Sequence, residues 1–145
     1  NIDASGKDYI VRNNVFRAQR RHALLARSSG GVFENNVVDG VGGSGVSLNN
    51  ETGNFYEGPL PADTVIRNNT FSNTYLESIK VYTKGNGAVA RNISIVGNRW
   101  RSKGKMDMIS LDNVVGGVVK DNLIMPGKTA IPVRMQNCKE IKEGK

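Results

Sequence analysis

A short motif built around two adjacent asparagines recurs along the chain and constrains its fold more than any other feature. In its clearest copy, Val65–Asn73, the sequence VIRNNTFSN places Asn68 and Asn69 between apolar residues that resemble strands. Asparagine is depleted in strands and common at turns, so the pair indicates a corner between two strands. Aligned on the second position of the pair, the copies are anchored at Asn14, Asn36, Asn69, Asn98 and Asn122.

The spacing of these anchors predicts the fold class. Successive anchors are 22, 33, 29 and 24 residues apart, and each is followed by a further short apolar strand. No segment has a sustained helical period. A minimum unit near 22 residues with two or three short strands predicts an all-β right-handed parallel β-helix of about five coils. A leucine-rich repeat would need a leucine consensus that is absent, and a β-sandwich would need closer, regular hairpin turns.

The same geometry gives the asparagines a structural role. Equivalent residues in successive coils of a β-helix stack about 4.8 Å apart. The amide of each anchor can donate to and accept from the next, so we expect an Asn ladder in which Asn69 lies beside Asn36 and Asn98. Asparagine also tolerates the left-handed conformation, and we expect the anchors to use it at the corner. The anchors are therefore predicted to be scaffold.

Charge and rare residues limit the partners. Lys and Arg number 20 against 13 Asp and Glu, a net charge of +7, which favours polyanionic partners such as acidic polysaccharide. Because the basic residues are scattered, nucleic acid is not expected. The single Cys138 and the single His22 exclude a disulfide framework, multi-Cys metal sites and His-pair zinc sites, so no metal or other cofactor is expected. No run is apolar enough for a membrane span.

The domain organisation follows from the repeat. We expect one β-helix domain over 1–138 and a frayed, charged tail over 139–145. The chain starts at Asn1 without a methionine, in sequence that already resembles a strand, which favours the C-terminal part of a longer protein. A stack this short leaves an open strand edge, so we expect missing N-terminal coils, a partner chain or end-to-end self-association.

The last strand of each repeat unit points to a candidate site. Aligning these strands by their inward apolar pairs, which end with Ile131 and Val133, sends the intervening residues outward. The first outward column is Leu25, Ser47, Lys80, Ser110 and Pro132, and the second is Arg27, Asn49, Tyr82, Asp112 and Arg134. A cluster of cations, a phenol and a carboxylate on one sheet can hold a sugar chain, although an ordinary solvated face has the same composition.

The longest repeat unit adds a loop, 49–61, beside the second column. Its Tyr56 can stack on a sugar ring, and its Glu57 can act as an acid or a ligand. Glycoside hydrolysis needs two carboxylates, one to protonate the leaving oxygen and one to attack or to activate water. The predicted catalytic residues are Asp112 and Glu57, and the predicted substrate-binding residues are Arg27, Asn49, Tyr56, Lys80, Tyr82 and Arg134.

Two other functions fit the same residues. A polysaccharide lyase would use a cationic or tyrosine base and a group that neutralises a uronate carboxylate, which Lys80, Arg27, Arg134 and Tyr82 can supply. A non-catalytic module for binding or adhesion would need no acid or base at all.

The motifs also resemble a known family. The runs 44–48 (SGVSL), 55–59 (FYEGP) and 64–71 (TVIRNNTF) are similar to those of the bacterial α-1,3-galactosidase family and its β-helical relatives. The resemblance covers roughly residues 9 to 125. It implies a β-helical, exo-acting glycosidase with a metal-independent mechanism and with Glu57 at its site.

Overall fold

The chain folds into three sheets that wind around one axis. The structure is a computed structural model that describes residues 6–50, 58–101 and 108–144. Its first sheet, sheet A, contains β1 (Ile10–Arg12), β4 (Val32–Glu34), β7 (Ala62–Arg67), β10 (Ala90–Val96), β13 (Val114–Lys120) and β17 (Lys139–Gly144). Sheet B contains β2 (Val15–Arg17), β5 (Val37–Asp39), β8 (Thr70–Ser72), β11 (Arg99–Trp100), β14 (Leu123–Ile124) and β15 (Thr129–Ala130). Sheet C contains β3 (Leu24–Ala26), β6 (Val46–Asn49), β9 (Ile79–Tyr82), β12 (Ile109–Asp112) and β16 (Val133–Gln136).

This topology confirms the predicted right-handed parallel β-helix. Within each sheet, neighbouring strands come from successive coils and run parallel, with β15 as the exception. Alternate residues of each strand point inward, where Phe33, Ile66 and Ile95 are fully buried on sheet A. On sheet B, the rings of Phe71 and Trp100 stack with their centroids 5.2 Å apart. The core is therefore a column of stacked apolar side chains inside the coils.

The Asn ladder is confirmed at all five anchors. The Asn36 Nδ2 donates to Asn69 Oδ1 at 3.1 Å, and the Asn69 Nδ2 donates to Asn98 Oδ1 at 3.0 Å. Matching bonds join Asn14 to Asn36 and Asn98 to Asn122. Each acceptor Oδ1 also receives the backbone N–H of the preceding anchor. The ladder thus satisfies buried polar groups between sheets A and B in every coil.

The left-handed residue at this corner is the first of the pair, and the expectation that the anchors adopt this conformation was wrong. Positive φ angles near 55° occur at Asn13, Asn35 and Asn68, and Gly97 and Asp121 take the same place in the weaker copies. The first residue turns the chain, which leaves the second free to point its amide along the ladder. Glycine and aspartate can replace asparagine at the first position because both tolerate this conformation.

The last coil departs from the predicted alignment by two residues. The partner of Ile109 on β16 is Val133, and the partner of Ser110 is Arg134. The reason is that β15 folds back and pairs antiparallel with β14, so Ile131 is buried beside that hairpin instead of opening the sheet C strand. Arg134 therefore belongs to the column of Lys80 and Ser110, and Gln136 takes the place beside Asp112.

The expected frayed tail is a strand. β17 pairs in parallel with β13, and Val118 faces Lys142 across the pair. Ile141, near the centre of β17, packs against the core and attaches the strand to the rest of the domain. The charged composition misled the prediction because β17 is an edge strand, whose other side chains remain in solvent.

The two ends of the coil stack differ. At the first coil, Ile10 and Val15 on the edge strands β1 and β2 are 62% and 60% exposed. At the last coil, β15 covers the outer edge of sheet B, and the Ile131 N–H donates to Asn122 O at 3.0 Å. End-to-end association, which stays a prediction, would therefore use sheets A and C at the last coil.

Replacing Gly117 with alanine is expected to destabilise sheet A by about 2–3 kcal/mol. Gly117 has a φ of +137°, and a Cβ there would lie 2.1 Å from the carbonyl oxygen of Ile93 on the neighbouring strand. Backbone atoms of a paired strand cannot move aside as a flexible side chain can. Urea unfolding measures the loss, with Gly127→Ala as the control, since a Cβ at Gly127 meets its nearest neighbour at an ordinary 3.5 Å. Equal unfolding midpoints for the two variants would contradict the register of β10 and β13.

Candidate functional site

The outer face of sheet C carries two columns of side chains. Strand pairing places Tyr82 beside Asn49 on one side and Asp112 on the other, as the repeat predicted. The neighbouring column holds Lys80, Ser110 and Arg134 on successive strands. Short parallel strands with inward apolar residues thus present five coil levels of polar side chains on one surface.

Tyr82 is flanked by two cations. The Nζ atoms of Lys80 and Lys84 lie 5.4 Å and 6.0 Å from the centroid of its ring. Ammonium groups at this distance are attracted to the face of an aromatic ring. The contacts gather two positive charges beside the phenol.

Glu77 holds the cationic column in place. Its side chain is only 5% exposed and forms ion pairs with Lys80, at 3.6 Å, and with Arg134, at 3.2 Å. Arg134 also donates to Ser110 Oγ at 2.8 Å, so its guanidinium lies across the intervening strand β12. Removal of Glu77 would leave these cations without their fixed partner. The strand alignment did not reveal this role, because Glu77 precedes β9 and belongs to neither column.

Asp112 lies on the outer face of sheet C, next to Tyr82. It is half-buried, and its Oδ1 accepts a long hydrogen bond from Asn137 Nδ2 at 3.4 Å. The carboxylate is thus placed beside the cationic column.

The first cavity has a volume of about 360 Å³. It is lined by Lys80, Tyr82, Lys84, Ser110, Leu111, Asp112, Arg134 and Gln136. Among the described residues of this lining, three cationic side chains face one carboxylate, and Glu77 beneath it adds a second. The cavity therefore has an excess of positive charge, which attracts anionic ligands.

A second cavity, of about 440 Å³, lies at the first coils and shares Tyr82 with the first. It is lined by Arg21, His22, Leu25, Arg27, Asn49 and Tyr82. Arg27 Nε donates to Asn49 Oδ1 at 3.1 Å, and Asn49 Nδ2 donates to Ser47 Oγ at 3.0 Å. Asn49 is only 2% exposed, so its side chain contacts Arg27 and leaves little surface for a ligand.

The His22 side chain lies in this second cavity, and its Nδ1 contacts the backbone of Ser44. The Ser44 N–H donates to Nδ1 at 3.0 Å, and the Ser44 carbonyl oxygen lies 3.2 Å from the same atom. Burial lowers the pKa of the imidazole, and the positive charges of Arg21, Lys80 and Arg27 lower it further, whereas the contact with Ser44 raises it. At neutral pH the imidazole is therefore neutral, and Nδ1 accepts from the Ser44 N–H.

Two predicted site residues, Tyr56 and Glu57, lie outside the described residues. The structure brings together Lys80, Tyr82, Asp112 and Arg134 around the first cavity and Arg27 with Asn49 in the second. Arg134 reaches the first cavity from the column of Lys80, and not from the column of Tyr82 as predicted.

Neither a metal-binding group nor a membrane helix is found in the part of the chain that the structure describes. Within it, no three His, Cys, Asp or Glu side chains are grouped closely enough to hold a metal ion. The same ranges contain no helix with the length and apolar character needed to cross a bilayer.

The comparisons with known proteins identify the fold family. A family model described as right handed beta helix region matches residues 1–141, so the chain belongs to this family of β-helix domains. Such domains occur in carbohydrate-active enzymes and in other proteins. No curated protein and no solved structure gave a significant match. The family match carries no support for the galactosidase activity that the sequence motifs implied.

Proposed function

We propose that the protein binds an acidic polysaccharide across the outer face of sheet C. The observation that carries the proposal is the convergence of Lys80, Lys84 and Arg134 on one cavity beside Tyr82. Cations attract the uronate or sulfate groups of such a chain, and the phenol can donate a hydrogen bond to a sugar hydroxyl. A neutral polysaccharide would gain nothing from this excess of positive charge.

The repeat geometry suits a linear ligand. Successive strands lie about 4.8 Å apart, so the backbones of β9 and β16 are separated by roughly 10 Å along the axis of the solenoid. Cationic side chains occur at both of these levels, and Arg27 extends the charge toward the first coil. A polysaccharide with an anionic group on each sugar can contact the cations of successive strands one after another.

Calorimetric titration with two oligosaccharides of equal length tests the proposal. We expect oligogalacturonate to bind and an uncharged oligogalactose to show at least tenfold weaker binding. The affinity for oligogalacturonate should fall as salt rises, because exposed charges are screened. Equal affinity for the two oligosaccharides, or binding that is insensitive to salt, would refute an electrostatic site.

Glycoside hydrolysis is a second candidate, and the position of Asp112 favours it. This carboxylate lies one strand from Tyr82 in the wall of the cavity that is proposed to hold the polysaccharide. In this mechanism Asp112 is one of two carboxylates, and the predicted second is Glu57. The resemblance to the α-1,3-galactosidase family makes a terminal α-galactoside the first substrate to assay.

The reaction products separate the enzymatic alternatives from simple binding. Release of galactose by the wild type, with at least a hundredfold loss in Asp112→Asn, would support hydrolysis. An unsaturated product that absorbs in the ultraviolet would instead identify a lyase. Lys80 and Arg134 both form ion pairs with Glu77, which requires them to be charged. A charged cation can bind a uronate carboxylate but cannot accept a proton, so these two residues suit binding better than proton abstraction.

A further inference from the structure

The second cavity has the features of an anion site that responds to pH. It brings the Arg21 guanidinium and the His22 imidazole to the same space, and Tyr82 separates it from the first cavity. We propose that this cavity is a subsite for an anionic group, a sulfate or a carboxylate, of the polysaccharide, and that it binds this group more tightly when His22 is protonated. This inference rests on the proposed function only for the class of ligand.

The backbone around His22 can accommodate both protonation states. Neutral Nδ1 accepts from the Ser44 N–H at 3.0 Å, whereas a protonated Nδ1 can donate to the Ser44 carbonyl oxygen at 3.2 Å. Gly43 permits this close packing, since a Cβ there would lie 2.9 Å from Nδ1. Proton uptake therefore replaces the bond from the Ser44 N–H with a bond to the Ser44 carbonyl oxygen, and the Ser44 N–H loses this acceptor.

The charges around His22 determine the direction of the pH response. Among the described residues, the charged groups that act on it are Arg21 from its own loop, Arg27 from the end of β3 and Lys80 from β9, and Tyr82 from β9 faces the same cavity. All three charges are positive, so they disfavour a fourth. A bound anion compensates them and makes protonation easier, which means that binding takes up a proton.

Because the anion raises the pKa of His22, the affinity increases as the pH falls through the pKa of the bound form. It reaches its plateau below the lower pKa of the free protein. One added charge beside an anion is expected to strengthen binding by about fivefold or more.

The chain's single histidine makes the site directly observable. We propose to titrate the His22 imidazole by proton NMR in sodium sulfate and in sodium chloride of equal ionic strength. We expect sulfate to raise the pKa of His22 in the wild type and in the control Arg91→Gln, and to lose most of this effect in Arg21→Gln. Arg21 and Arg91 are both exposed, so neither variant should unfold the protein. No sulfate effect in the wild type, or the same effect in Arg21→Gln, would overturn the subsite.

Titration of the oligosaccharide separates this inference from the proposed function. Oligogalacturonate and a sulfated galactan oligosaccharide should each bind at least about fivefold more tightly at a pH below the His22 pKa found in the NMR titration than at pH 7.5, and the larger gain shows which anionic group the subsite prefers. His22→Asn keeps an acceptor for the Ser44 N–H and should flatten this dependence. Affinity that is high but equal at both pH values overturns the subsite alone. A sulfate effect on His22 without binding of either oligosaccharide overturns the proposed function and supports the anion subsite.

Discussion

Replacing Asn69 with alanine is expected to lower the free energy of unfolding by about 3–5 kcal/mol, measured by equilibrium urea denaturation. Asn69 is fully buried, and its side chain takes part in four hydrogen bonds. Its Nδ2 donates to Phe33 O and Asn98 Oδ1, and its Oδ1 accepts from the N–H and the Nδ2 of Asn36. Alanine leaves these partners buried without a replacement. A loss of this size is a large share of the stability of a single domain.

The end of the ladder provides the control for this substitution. Asn14 makes the same kind of contact to Asn36, but it is exposed on the first coil, where water can replace the lost bonds. We therefore expect Asn14→Ala to lower the stability by about 1 kcal/mol or less. If the two variants unfold at the same urea concentration, the ladder is not the main polar support of the fold.

The double substitution of Lys80 and Arg134 by glutamine is expected to weaken oligogalacturonate binding by about 30-fold or more. Both side chains line the first cavity, and both lose the positive charge that would meet a uronate carboxylate. Glutamine retains hydrogen-bond donors near Glu77, which limits the destabilisation of that buried carboxylate. Calorimetric titration at fixed salt gives the change in affinity, and the unfolding midpoint verifies that the fold persists.

A matched variant on sheet A separates local contacts from net charge. Arg91 and Lys120 are exposed there, and replacing both with glutamine removes the same two charges from another face. We expect this variant to bind oligogalacturonate within about twofold of the wild type, because exposed charges beyond a Debye length of about 10 Å are largely screened. A similar loss in both double variants would mean that binding depends on overall charge and not on sheet C.

The asparagine repeat was sufficient to predict the architecture. Asn36, Asn69 and Asn98 stack as expected, because a side chain that must bond to its own copies allows only one register between coils. The pattern did not distinguish the two asparagines of each pair, since asparagine suits both a left-handed corner and an amide ladder. Gly97 and Asp121 in the weaker copies were the available signal, because only a corner position accepts such different residues.

The site was predicted less well than the fold. Tyr82 and Asp112 were paired correctly because they follow inward residues in strands of equal length. Arg134 was placed two residues out of register, because Pro126 and Gly127 signal a turn but not the short antiparallel β15 that follows it. The sequence did not predict that Glu77 holds Arg134 in place. These two residues are 57 positions apart, so no local pattern indicates their contact.

Amide chemical-shift changes on addition of oligogalacturonate to the isotope-labelled protein will show whether the ligand binds on sheet C. We expect the largest changes on β9 and β12 around Lys80, Tyr82 and Ser110, and on β16 around Arg134. Changes concentrated on sheet A or sheet B, or an absence of changes at saturating ligand, would contradict binding on sheet C.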